Sequence, residues 1–184
     1  DFSAVIPGRT LNEINKIIVD SYDTIKIGVA KNQALFEMEN CKMVTRLLDG
    51  EFLNYSSVIP ENWETRIRVD KNTIQNCFER ISLISSSSIE KEKKYPVKVN
   101  VDIGKVTISC TNQTGDAKEE MYVTTEGKNL EAGFNPKYFL DALRAIDDQE
   151  VFIDFGTSIS PCIIRPTQEG GDYIYMVLPI RMKE

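Results

Sequence analysis

The sequence predicts an α+β fold made of a repeated module: one strand, one helix, then two or three antiparallel strands, with the helices on one face of the sheets. Two observations carry this prediction. Three segments join an alternating strand, a proline or aspartate, and a helix whose apolar residues recur three and four positions apart. After each come stretches that alternate polar and apolar residues with period two, broken by turn signals. The three copies start roughly 60 to 65 residues apart, which makes the architecture periodic.

In the first copy, "SAVIPGRTLNEINKII", a strand runs to Pro7, and Leu11, Ile14 and Ile18 mark one face of a helix. The stretch "TIKIGVAKNQALFEMENCKMVTRLL" supplies its strands. In the second, "TRIRVDKNTIQNCFERISLI", the strand ends at Val69, Asp70 makes the turn, and the stripe is Ile74, Cys77 or Phe78, and Ile81. Its strands are "YPVKVNVDIGKVTISCTN", with a turn at Ile103-Gly104-Lys105, and "EEMYVTTEG". The polar run from Ser85 to Pro96 reads as a solvated loop. In the third, "LEAGFNPKYFLDALRAI", Pro136 precedes Leu140, Leu143 and Ile146. Strands follow in "VFIDFGTSISPCIIRPTQEGGDYIYMVL", with a turn at Gly170-Gly171. Each stripe is the width a surface helix buries. Proline or aspartate suits a helix entrance, where a missing donor costs nothing and a carboxylate accepts orphan N–H groups.

With 184 residues the chain has room for one large domain or one and a half small ones. It begins at Asp1 rather than methionine and is expected to be part of a longer protein. A run of about 18 apolar residues, the length of a membrane span, is missing, as is a signal peptide, so no membrane partner and a cytoplasmic location are expected. The net charge of −6 argues against an overall nucleic-acid-binding coat but leaves room for a local basic face.

Composition also narrows the chemistry. The chain has no histidine, which removes the commonest general base and transition-metal ligand together. Cys41, Cys77, Cys110 and Cys162 are isolated in apolar surroundings and form no CxxC pair, so reduced thiols fit best. Carboxylates such as Glu119, Glu120, Asp147 and Asp148 sit in charged turns or at helix ends and read as solvated surface. There is no phosphate-cradling glycine loop and no nucleophile with a base. The expectation is therefore a non-catalytic protein without metal or cofactor.

The C-terminal stretch "DYIYMVLPIRMKE" is unusual for a tail. An alternating strand from Tyr173 to Val177 runs into Leu-Pro-Ile, whereas most termini are polar and untethered. A proline cannot donate to a central strand, so this run should lie at a sheet edge. Two readings are open on these residues: a strand that closes a sheet, or a wall of a binding groove.

Three segments resemble the bacterial replicative sliding clamp family, the beta subunit of DNA polymerase III: "LLDGEFLNYSSVIP" at 47–60, "FNPKYFLDAL" at 134–143 and "YMVLPIRM" at 175–182. They occur in the family's order and spacing, and the resemblance covers the whole chain. It implies residues 1–62 as the second half of the clamp's middle domain and 63–184 as the complete C-terminal domain, with the boundary near Glu61 to Trp63. It also implies a DNA-clamp fold in which head-to-tail subunits, a homodimer in the full-length protein, close a ring around double-stranded DNA. Such a ring holds the phosphate backbone without reading sequence and keeps a tethered polymerase at high effective concentration.

By the same resemblance, the C-terminal run forms part of a hydrophobic cleft that receives short peptides with glutamine and leucine or phenylalanine anchors. These belong to the polymerase III alpha subunit, the clamp-loader delta subunit, other polymerases and repair proteins. The matching positions are Leu53, Ser57 and Val58, Asn135 and Tyr138, Ile159 and Pro161, and Met176, Val177, Leu178, Pro179, Ile180 and Arg181. Desolvating a buried Leu or Phe anchor is worth roughly 1.5–3 kcal/mol, which suggests micromolar affinity after ordering costs. Leu53 stands where the family often has proline, Ser57 where it often has arginine, and Lys183 and Glu184 extend past the end of many clamps. The DNA-facing candidates are Arg9, Lys71, Arg80 and Arg144, on helix faces that also carry Glu13, Glu79 and Asp141. A chain of this extent is expected to be monomeric or weakly associated.

Two other readings remain. One is an α+β hydrolase using a carboxylate such as Asp154 or Glu150; the other is a repeat scaffold with no DNA role.

Overall fold

The computed structural model describes residues 3–18, 24–39, 41–86, 96–168, 171 and 173–182. Internal packing divides the chain into two units, Asp1–Tyr55 and Ser56–Glu184. This division precedes the 62/63 boundary expected from sequence, because Pro60, Asn62 and Trp63 line a small depression with Asp154, Gly156 and Pro161 of the second unit.

In the first unit, helix α1 (Gly8–Ile17) is followed by three antiparallel strands, β1 (Lys26–Val29), β2 (Gln33–Met38) and β3 (Cys41–Arg46), paired in that order. Its core is small: Ile14, Ala34 and Phe36 are buried, with Ile6, Ile25, Val29, Met43 and Leu47 packed against them. Two expectations need correction here. The predicted strand before Pro7 does not form over residues 3–7; among these, the Val5 carbonyl accepts from the Leu48 N–H (2.9 Å), and no ladder follows. The predicted stripe of α1 is buried only at Ile14, while Leu11 is 48% and Ile18 39% exposed. A patch of three strands four to six residues long gives a helix one site to dock, not a full seam.

In the second unit, the period-two segments pair into two five-stranded antiparallel sheets. The first path is β4 (Thr65–Asp70), α2 (Lys71–Ser86), β5 (Val97–Asp102), β6 (Lys105–Asn112), β7 (Gly115–Tyr122) and β8 (Thr124–Gly127). The second is β9 (Leu130–Phe134), α3 (Pro136–Arg144), β10 (Glu150–Phe155), β11 (Cys162–Pro166), β12 (Tyr175–Val177) and β13 (Pro179–Ile180). The sheet orders are β12-β11-β10-β4-β8 and β13-β9-β5-β6-β7. Each path opens with a strand in one sheet, passes through its helix, and lays three strands in the other sheet. Its last strand then returns to pair with its own first strand, β8 on β4 and β13 on β9.

Both helices enter as their sequences predict. Asp70 accepts from the Thr73 N–H (2.7 Å) at the start of α2, and Asn135 accepts from the Lys137 N–H (3.1 Å) at the start of α3, where Pro136 needs no donor. Ile74, Cys77, Phe78 and Ile81 of α2, and Leu140 and Leu143 of α3 with Ile146 beyond its end, are all buried as their spacing predicts. An aromatic seam joins the layers: Phe78 stacks on Phe139 with ring centroids 4.4 Å apart, and Phe134 meets Phe139 edge-on at 5.1 Å. The hairpin between β5 and β6 turns at Ile103-Gly104, where Gly104 takes φ 76°. Helix α2 runs on through Ser86 with Ser85 buried, so the predicted loop cannot start at Ser85; most of the remaining run to Pro96 lies outside the described residues. Among the described residues, no helix is long and apolar enough to cross a membrane.

Candidate functional site

The tail crosses between sheets. Strand β12 is the outer strand of one sheet, where Tyr175, Met176 and Val177 pair with Ile164, Ile163 and Cys162. One residue later, β13 is the outer strand of the other, with Pro179 opposite Phe134 and Ile180 opposite Gly133. Proline is tolerated at an edge because no further strand needs its missing donor. Alternation turns Val177 into the core at 2% exposure and leaves Leu178 outside at 58%.

Helix α3 stands beside β12, and the two enclose an open groove of about 430 Å³. Tyr138, Asp141 and Ala142, spaced three and four apart on one helical face, form one side; Tyr175 through Leu178 form the other. Tyr138 is 54% and Met176 36% exposed, so the groove presents apolar side chains to solvent. The Tyr175 hydroxyl reaches the Ala145 carbonyl at 3.5 Å.

The structure thus brings together Tyr138, Met176, Val177 and Leu178 of the residues expected from sequence. Ile159, Ile180 and Arg181 line a separate depression of about 670 Å³, with Lys98, Glu131, Gly133 and Met182 among its other residues. A β-carbon at Gly133 would fall 2.7 Å from Met182 Cγ, so the tail lies on the strand backbone there. Asn135 caps α3, and Pro161 lies in the small depression beside Trp63. Leu53 is exposed in the first unit; Ser57 and Val58 are exposed at the start of the second and line neither larger depression. Sequence reasoning missed Asp141, Ala142 and Tyr175 as groove residues. The helical step from Tyr138 and the strand step from Val177 point to all three.

Of the basic candidates, Arg9 is exposed on α1 and Lys71 is the first residue of α2. Arg80 grips Glu119 through two hydrogen bonds (2.6 and 2.9 Å), and Arg144 donates to Glu79 (3.1 Å). Hydrogen bonding from Arg80 holds the Glu119 carboxyl below its ordinary value, and Arg144 does the same for Glu79. Glu119 is therefore a clasped partner of α2 rather than the free solvated carboxylate expected.

The carboxylates that a hydrolase would need are engaged elsewhere. Asp154 is 3% exposed; Arg66 donates to both its oxygens (2.5 and 2.8 Å), and Arg165 Nε lies 2.9 Å away as an ion pair without hydrogen-bond alignment. Arg66 is itself held between the rings of Trp63 and Phe152, each centroid 4.6 Å from its guanidinium carbon. Glu150 accepts from Arg68. A buried carboxylate held by a bidentate arginine and faced by a second serves as a structural ion-pair partner, fixing the Arg66 and Arg165 side chains over the sheet. Among the described residues, no group of three His, Cys, Asp or Glu could hold a metal.

The family model described as DNA polymerase III beta subunit, C-terminal domain, matches residues 56–181, and the model of its central domain matches residues 1–54. The chain is 34% identical over 181 residues to the beta sliding clamp of Staphylococcus epidermidis and 34% over 182 residues to that of Staphylococcus aureus. Each alignment covers 97% of this chain and 47% of the relative, so the chain spans about half the length of the curated relatives it matches. Among solved structures, a putative DNA polymerase III beta subunit from Eubacterium rectale superposes with a TM-score of 0.85 at 34% identity, covering 97% of this chain and 47% of that one. The DNA polymerase III beta chain of Streptococcus pneumoniae gives 0.88 at 30% identity, covering 99% and 48%. The DNA polymerase sliding clamp of Bacillus subtilis gives 0.88 at 29%, covering 99% and 47%.

Proposed function

Because this chain belongs to the DNA polymerase III beta subunit family, we propose that it serves as part of a processivity clamp, a non-catalytic ring around duplex DNA that tethers replication partners through peptides seated in a groove. The observation that carries the proposal is the apolar groove between α3 and β12, with Leu178 and Tyr138 more than half exposed beside a fully buried Val177. Such a concave apolar surface desolvates leucine or phenylalanine anchors, and backbone groups along the Tyr175–Leu178 run are suited to orient the peptide. Polymerase, clamp-loader and repair subunits are the proposed partners, cytoplasmic at the replication fork.

The DNA role rests on Arg9, Lys71, Arg80 and Arg144. With Arg80 and Arg144 offset by Glu119 and Glu79, the contribution of each to phosphate attraction is that of a compensated pair until DNA competes for it. The ring is a property of the full-length protein: loaded on circular DNA, it should stay trapped and be released on linearisation.

The groove is tested by fluorescence anisotropy with a labelled Gln-Leu-x-Leu-Phe peptide on this chain and its Leu178→Asp variant. Roughly micromolar binding that the variant loses is expected. Absence of binding to both this chain and the full-length parent would overturn the cleft assignment.

A further inference from the structure

We propose that Asp141 sets the charge preference of the groove, selecting peptides that carry a lysine or arginine beside their apolar anchors and disfavouring those with an acidic residue there. The inference rests on the peptide-binding reading of the α3–β12 groove.

Among the described residues, Asp141 contributes the only charged side chain to that groove; its other residues are Tyr138 and Ala142 of α3 and the run Tyr175–Leu178. Its own helix does not neutralise it. Arg144, one turn on, is taken by Glu79 across the α2–α3 contact. Lys137, one turn back, forms no ion pair with Asp141 among the described residues. A peptide that covers Tyr138, Met176 and Leu178 withdraws water from this carboxylate, and a carboxylate losing water without a cation resists the step. A lysine or arginine on the peptide answers it: its aliphatic stem lies along the apolar wall while its charged head reaches the carboxylate. An acidic residue at the same place adds repulsion, which the chain's net charge of −6 reinforces at longer range. Discrimination by such a rim charge works mainly by excluding the wrong partner.

The test uses pairs of labelled Gln-Leu-x-Leu-Phe peptides that differ only by Lys or Glu at the position before, or after, the anchor motif. The Lys/Glu affinity ratio is measured for the wild-type chain and for its Asp141→Asn and Asp141→Lys variants. The ratio is expected to favour lysine by about threefold to fivefold at low salt in at least one flank position, from one attraction and one repulsion at an exposed carboxylate. It should shrink at high salt, approach unity in Asp141→Asn and invert in Asp141→Lys. A ratio is read because a purely structural effect of either variant moves both peptides alike. A wild-type ratio near unity at both flanks, or a preference that survives in Asp141→Asn, overturns the role of Asp141 while leaving the groove intact. Failure of every peptide to bind, to this chain and to the full-length parent alike, overturns the inference together with the groove reading.

Discussion

Pro179 stands opposite Phe134 on the outermost strand of its sheet, so the tail that began as the edge strand of one sheet ends as the edge strand of the other. The single residue between them, Leu178, has no strand partner and is 58% exposed, whereas Val177 before it is in the core. Adjacent positions in one apolar run therefore carry opposite duties, packing and presentation.

This gives a paired prediction. Leu178→Asp should leave the thermal midpoint near that of the wild type and remove peptide binding. Val177→Asp should fail to fold, because it puts a carboxylate at a 2% exposed site within the hydrophobic core. Circular dichroism melts separate the two; a Leu178→Asp variant that unfolds as readily as Val177→Asp would contradict the assignment.

Asp154 should matter for stability and not for turnover. Asp154→Ala strands Arg66 and Arg165 against an apolar floor, and because both arginines retain some exposure the cost should be about 3 kcal/mol, the low end for breaking a buried pair. Urea denaturation measures it. A loss below about 1 kcal/mol, the scale of a surface pair, would mean the arginines find other partners.

The Arg80–Glu119 clasp makes a prediction about acid. Its hydrogen bonds lower the carboxyl's folded-state value, against the opposing effect of burial, so the pair's stabilisation is present above the ordinary carboxylate range and is lost as pH falls through the lowered folded value. The stability gap between wild type and Arg80→Ala should be full at neutral pH and close as the pH drops below about 4. A gap that stays constant across that titration would assign the effect to packing of the arginine stem.

Thiol reactivity should follow burial. Cys77, Cys110 and Cys162 are buried, and burial pushes each thiol above its ordinary value, while Cys41 is partly exposed. Under native conditions Cys41 should be alkylated first by iodoacetamide, with the others reacting only on unfolding. Mass spectrometry of a time course decides; early labelling of Cys162 would mean that β11 opens locally.

Asp70 holds the entrance of α2. Its carboxylate accepts from the Thr73 N–H, which lowers its own proton affinity and caps α2. Asp70→Ala should cost about 1 kcal/mol in thermal or urea unfolding, and Asp70→Asn much less, since an amide oxygen still accepts the bond.

The sequence by itself determined the local grammar of this protein. The period-two runs after the helices became strands, Asp70 and Asn135-Pro136 became helix entrances, and the Ile74–Ile81 and Leu140–Ile146 stripes became buried faces, because alternation, capping and helical spacing are satisfied by near neighbours in the chain. It also singled out the C-terminal run as an edge, since a proline excludes a central strand. What only the tertiary structure decided were relations between distant residues. The clasp of Asp154 by Arg66 crosses 88 positions, the bond from Arg80 to Glu119 crosses 39, and neither has a local signature. Leu11 and Ile18 read as core but stay exposed because burial depends on how much sheet lies opposite, which a helical pattern does not encode. For the same reason Tyr138 and Leu178 share a groove while Ile180, two residues further on, belongs to another: the chain changes sheets at Leu178, and only the assembled strand order sets where that crossing falls.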